Sequence, residues 1–253
     1  MTVNEFYKNL SELYPTSLSC SWDNDGLMCC TEPDREVKKV LVALDATVDS
    51  INYAASGNFD TLLCHHPLIF RGIDRVNPFD TVGERTVLAL KNNLTVISLH
   101  TRLDQGTGGV NDTLAEILGL RNVRTFGDSE TPDFGRIGET DVFDAAEFAG
   151  IIKKATGAEK ITAYLCRPIK TVAVVGGSAG EFFASAKKAG ADTLVTGECK
   201  YHEGLDAKDS GMNIFAVGHY FTEFPVTKTL KKIAENMTGA EVEIYNIIPE
   251  MTF

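Results

Sequence analysis

A chain of 253 residues with 43% apolar content is long enough to bury the core of one large domain or two modest ones. Its 35 acidic against 24 basic residues leave a net charge of −11, which argues against a nucleic-acid partner or an anionic membrane surface. No window approaches about eighteen uninterrupted apolar residues, and the N-terminus lacks the basic flank and apolar core of a signal peptide, so a soluble, cytoplasmic protein with no membrane partner is expected.

The opening "MTVNEFYKNLSELYP" has the spacing of an amphipathic helix, with Asn4 as its cap. "VKKVLVALDAT" (37–47) reads as a buried strand that stops at Asp45, a residue that either caps the helix after it or serves chemistry. "VDSINYAASG" has helical spacing and "FDTLLCHHP" is a second strand, so 40–66 forms one βαβ unit. The helix "GERTVLALKNN" and the strand "LTVISLH" follow, and the glycine-rich "QGTGGVND" leads into the helix "DTLAEILGL". This alternation predicts an α/β fold with mainly parallel or mixed sheets flanked by helices. Across 121–138 the apolar periodicity lapses and turn residues accumulate. The expected division is therefore a domain made of 1–125 and 218–253, and a second domain spanning 126–217.

Beyond that boundary the chain repeats itself. "KTVAVVGGSAGEFFASAKKAGADTLVTGE" (170–198) lies on 38–66 at a constant shift of 132, without a gap, so that Asp192 falls on Asp60. "IFAVGH" then matches "TVISLH", and each is followed by a helix, which predicts two related α/β halves. The six cysteines show no C-x-x-C spacing and read as reduced, mostly buried thiols.

The repeat places the polar residues. His65 and His66 end one strand, His100 the next, and Glu198 and His219 end their counterparts; ligands of open α/β sheets bind at this edge. Pro67 biases His66 to an extended backbone, which allows both adjacent imidazoles to face one cavity. Imidazole and carboxylate together suit zinc, iron, manganese or nickel, and Asp104 and Glu223 each stand four residues past a histidine. Pro225, placed in the first turn of the next helix, would leave His219 to Glu223 in a loop. His100 and His202 are either ligands or their neighbours. "VVGGSAG" (174–180) serves tight packing better than phosphate binding, since it lacks G-x-G-x-x-G spacing. "GTGGVND" (106–112) is the better anion candidate, with Asn111 as a helix cap in the plainer reading.

The ordered stretches "WDNDGL" (22–27), "VLVALDAT" (40–47), "HHPLIF" (65–70), "LHTRLDQGTGGVNDTLAEILGL" (99–120), "VAVVGGSAG" (172–180), "TGECKYHEGLDAKDSG" (196–211) and "GHYFTE" (218–223) resemble one family nearly end to end. It is the dinuclear-metal-centre family of GTP cyclohydrolase I type 2 homologues, also called NGG-interacting-factor-like proteins. The resemblance implies metal ligation by His65, His66, Asp104, His219 and Glu223, with two divalent ions per subunit, zinc, iron or manganese. It implies a toroidal homohexamer and a hydrolase in which metal-bound hydroxide attacks a nucleotide-like or other small-molecule substrate. His100, His202 and Glu198 are then the candidate catalytic groups. The alternative is a ring that stores, delivers or senses metal, or serves as a protein-interaction scaffold, without turnover. The chain departs from the family at Cys29-Cys30, at Arg102, where a small polar residue is common, and at Phe224, where an arginine often follows the glutamate.

Overall fold

The computed structural model describes residues 1–248; positions 249–253, the tail of the segment assigned above to the first domain, lie outside the described residues. The elements run α1 (Val3–Leu13), β1 (Gly26–Cys29), β2 (Lys39–Ala43), α2 (Val48–Ser56), β3 (Thr61–Cys64), α3 (Thr81–Lys91), β4 (Thr95–Ser98) and α4 (Thr101–Gln105). They continue with α5 (Val110–Ile117), β5 (Arg121–Phe126), β6 (Gly135–Glu139), α6 (Ala145–Thr156), β7 (Thr162–Tyr164), β8 (Thr171–Ser178), α7 (Phe183–Lys188) and β9 (Thr193–Glu198). Last come α8 (Tyr201–Asp209), β10 (Asn213–Ala216), α9 (His219–Glu223), α10 (Thr227–Thr238) and β11 (Glu241–Ile244). Among the described residues, no helix is long and apolar enough to cross a membrane.

The described residues form two compact units, Met1–Gly106 with Thr227–Ile247, and Thr107–Val226 with Ile248. This differs from the expected outline of 1–125 with 218–253 because α5 and α9 both pack on β8 of the second unit. The apolar face of α5, carrying Leu114 and Ala115, joins the core formed by Phe148, Val172, Val174 and Phe215. That burial decides which side of the boundary the helix takes.

In the first unit the strand order is β1-β4-β3-β2-β11, parallel except for β1, which pairs antiparallel with β4. The inner strands "TLLC" and "TVIS" are buried at every residue, as strands covered on both faces must be. Thr2, not Asn4, caps α1: its hydroxyl accepts from Glu5 N while the Glu5 carboxylate accepts from Thr2 N, a reciprocal capping box. In the second unit the order is β5-β6-β8-β9-β10-β7, with β8-β9-β10 parallel and β7 antiparallel on β10.

The repeat is written in hydrogen bonds. Asp60 accepts from Lys38 N and Lys39 N at 2.7 and 2.9 Å and from the Thr61 hydroxyl at 2.8 Å. Asp192 accepts from Lys170 N and Thr171 N at 3.1 and 3.0 Å and from the Thr193 hydroxyl at 2.8 Å. Each aspartate ties the start of one strand to the start of its neighbour, so both units hold the same register. The strand orders β1-β4-β3-β2 and β7-β10-β9-β8 also correspond element by element. One detail shifts. Leu99 N donates to Cys64 O and Val217 N to Thr196 O, which matches His100 with Gly218 and leaves His219 one residue further along.

Candidate metal centre

The donor groups are held separately in each unit. In the first, β3 delivers His65 and His66 at its C-terminal end, and His66 N continues the ladder by donating to Leu44 O at 2.9 Å. His100 stands at the head of α4, and Asp104 lies within that helix. The ring nitrogens of His65, His66 and His100 offer one ligand atom each within 4.8 Å of one another.

The tautomers follow from the acceptors. His65 Nδ1–H donates to the Leu99 carbonyl at 3.1 Å, His66 Nδ1–H to Asp45 at 2.8 Å and His100 Nδ1–H to Asp23 at 2.8 Å. A carbonyl or carboxylate can only accept, so each bond places the ring's other lone pair on Nε2. Orientation of this kind, with the second nitrogen held by a carboxylate or backbone carbonyl, is the usual surrounding of a metal-binding histidine. His65 Nε2 lies 3.7 Å from Asp104 Oδ1, so two electron-pair donors approach each other in a buried setting, an arrangement that a cation satisfies.

The second unit repeats the logic with fewer imidazoles. His219 and Glu223 occupy one turn of α9, and a 3-10 turn at Phe224–Val226 absorbs Pro225 before α10 starts. The expected loop is thus a helix, because the proline sits one short turn ahead of the long helix rather than inside its first turn. The i, i+4 spacing then brings His219 Nε2 to 3.1 Å from Glu223 Oε2, while His219 Nδ1 lies 3.2 Å from Glu198 Oε1, so both ring nitrogens face a carboxylate.

The glycine-rich stretch after β8 makes room for this carboxylate. A Cβ at Gly177, whose φ is +69°, would lie 2.3 Å from Glu223 Oε1, and Gly177 N donates to the Thr222 hydroxyl of the same helix. The close approach, not phosphate binding, explains the glycine. Gly176 N donates to Asn111 at 2.8 Å, and the Asn111 amide donates to Phe134 O at 2.9 Å. Asn111 is therefore a buried bridge inside α5 rather than its cap; Gly109 takes the cap position. In the other glycine-rich loop Gly108 N is engaged by Asp112, which occupies an amide that an anion would need.

The remaining candidates separate. Glu198 touches His219, whereas His202 is exposed on α8. Burial raises the Cys64 thiol strongly and pushes Cys199 up to about 11, so neither is a thiolate at neutral pH. All six cysteines are thiols. Asp45 neither caps α2, a role taken by Thr47, nor stands apart from the histidines; it holds His66. Asp23 was not singled out by spacing, yet it binds His100 and also accepts from Thr101 N and the Thr101 hydroxyl. Burial opposes the Asp23 charge, but the bonds from His100 and Thr101 together outweigh it and hold the carboxyl down at about 2. Arg102 is buried, donates through Nε to Asp25 at 2.8 Å and through Nη1 to Tyr14 O at 3.3 Å, and so fixes "WDNDGL" against α4. Phe224 stacks on Tyr220 with ring centroids 4.7 Å apart.

A family model described as Duf34/NIF3 (NGG1p interacting factor 3) matches residues 1–250. The chain belongs to the DUF34/NIF3 family. A relative from Clostridium perfringens named "GTP cyclohydrolase 1 type 2 homolog" is 34% identical over 245 residues, covering 94% of this chain and 93% of its own length. One of the same name from Nostoc is 30% identical over 234 residues, covering 90% and 87%. Among solved structures, Staphylococcus aureus protein SA1388 is similar at a TM-score of 0.91 and 26% identity, covering 100% of this chain and 99% of that one. The DUF34/NIF3 match thus spans residues 1–250, and the histidine- and carboxylate-bearing strand ends described above lie within it.

Proposed function

We propose that this chain is a metal-dependent hydrolase that holds two divalent ions, zinc, iron or manganese, through His65, His66, Asp104, His219 and Glu223. The observation that carries this reading is that His65, His66 and His100 each have Nδ1 bound to an acceptor and present Nε2. A chance set of strand-end histidines has no reason to share one tautomer. Divalent ions supply Lewis acidity and lower the pKa of water. The protein's part is then to orient the donors: Asp45 fixes His66, Asp23 fixes His100 and Glu198 fixes His219. His100, Glu198 and His202 are the candidate groups for proton transfer. A nucleotide-like substrate is suggested by the name of the curated relatives, and a cytoplasmic, toroidal homohexamer by family resemblance.

A second reading, metal storage, delivery or sensing, or a protein-interaction scaffold, has one observation in its favour. Glu198 and His100 are already engaged in holding other groups, and His202 is exposed, which leaves few acid-base groups uncommitted. Elemental analysis of untagged protein beside the His65→Ala, His66→Ala double variant tests the metal site. About two ions per chain, lost in the variant, is the expected result. Less than half an ion, unchanged in the variant and not restored by added metal, would overturn the hydrolase and metal-handling readings and leave only the scaffold. Once a reaction is found, His202→Ala that abolishes it at normal metal content supports catalysis, whereas turnover independent of His202 removes that residue from the mechanism.

A further inference from the structure

The one tryptophan of the sequence is 59% exposed, and Phe70 beside it is 40% exposed. Trp22 meets Phe70 edge to face with centroids 6.0 Å apart, and each also meets His100 edge to face, at 6.0 and 5.9 Å. His100 in turn lies 5.3 Å from the His65 ring and 5.6 Å from the His66 ring. A wall of two rings therefore stands against the imidazole cluster, within the first unit.

The wall is fastened. Asn24 Nδ2 donates to Ile69 O at 2.5 Å, which ties the tryptophan loop to the segment bearing Phe70. Asp23, between them in sequence, is bound to both His100 and Thr101. Rings left in water for no purpose would be free to fold back on the surface; these stand on segments fastened by polar bonds, at the cost of unburied apolar area. Aromatic faces kept rigid and accessible beside polar groups are the means by which proteins grip flat rings, because stacking needs little side-chain ordering.

We propose that Trp22 and Phe70 form a stacking face that selects a substrate carrying a planar nitrogen heterocycle and presents its ring to the histidine cluster. This rests on the metal-site reading for its chemistry, but the binding step is separable. Two specificity-determining residues are assigned by it, neither of them a metal ligand.

Because Trp22 is the single tryptophan, its fluorescence reports the face directly. Metal-loaded full-length protein is titrated with guanosine, and with ribose 5-phosphate as a probe without a ring. Saturable quenching by guanosine and none by ribose 5-phosphate is expected, with Phe70→Leu weakening guanosine about tenfold. Trp22→Leu, followed by equilibrium dialysis, weakens it by at least as much, while metal content stays at the wild-type level in both variants. No guanosine binding up to about 1 mM, equal binding of both probes, or binding indifferent to both substitutions would overturn the proposal. If the variants instead change the assembly size by light scattering and leave guanosine binding unaltered, the face is a contact between copies and the proposal fails. Guanosine binding that depends on Trp22 and Phe70 in protein that holds no metal would sink the metalloenzyme reading while leaving this one standing.

Discussion

The two units share a frame and differ at its working edge. Asp60 and Asp192 make the same three hydrogen bonds in the same register, and the strand orders correspond. Yet at the shift of 132 that aligns them, Gly197 replaces His65, Glu198 replaces His66 and Gly177 replaces Asp45. The first unit fills its strand ends with imidazoles and a carboxylate that orients one of them. The second clears them with glycines so that a helical turn carrying His219 and Glu223 can press close. A duplicated fold can therefore keep its pairing bonds while its two edges adopt different donor sets, since register is set at strand starts and chemistry at strand ends.

Substitutions that act on one unit and not its counterpart should break this correspondence. Gly177→Ala places a methyl against the buried Glu223 carboxylate at a positive φ, and about 3 kcal/mol of stability is expected to be lost in urea unfolding. Asp45→Ala at the aligned position should leave stability within about 1 kcal/mol of wild type. Asp60→Ala and Asp192→Ala, which act on the shared frame, should each cost about 2 kcal/mol and match one another, because each strands two backbone donors. Unequal losses would show that one clamp has been superseded. Asp45→Ala should instead weaken metal binding about tenfold, measured by competition with a chelator.

The smallest effect concerns pH. Asp23 lies below its ordinary value of 3.8, at about 2, so its stabilisation is present above about pH 4 and fades as pH falls through about 2. The difference in urea midpoint between wild type and Asp23→Asn should therefore be larger at about pH 6 than at about pH 2.5. A difference independent of pH would mean that the carboxylate charge contributes nothing there.

The elements of this frame were legible because apolar runs of four residues ending in polar ones recur at a fixed spacing, and the histidine pair at 65–66 falls at such an end. Short helices were not. Four-residue spacing of His219 and Glu223 is compatible with a loop until the 3-10 turn around Pro225 is seen to separate α9 from α10. Partners distant in sequence were equally hidden: Asp23 reaches His100, Asn111 reaches Gly176, and neither spacing nor periodicity encodes such pairs. The placement of α5 depended on which core would bury Leu114, a choice its own amphipathic pattern does not contain.

The pairing of β11 with β2 has a consequence for synthesis. The sheet of the second unit is complete within one continuous stretch, Thr107–Val226, whereas the first is finished only when β11 adds to its edge alongside β2 and α10 packs on that strand. A chain emerging from the ribosome can close the later unit before the earlier one, leaving the edge of β2 waiting for its last neighbour. During that interval the exposed β2 edge is the segment most in need of protection from pairing with another nascent chain.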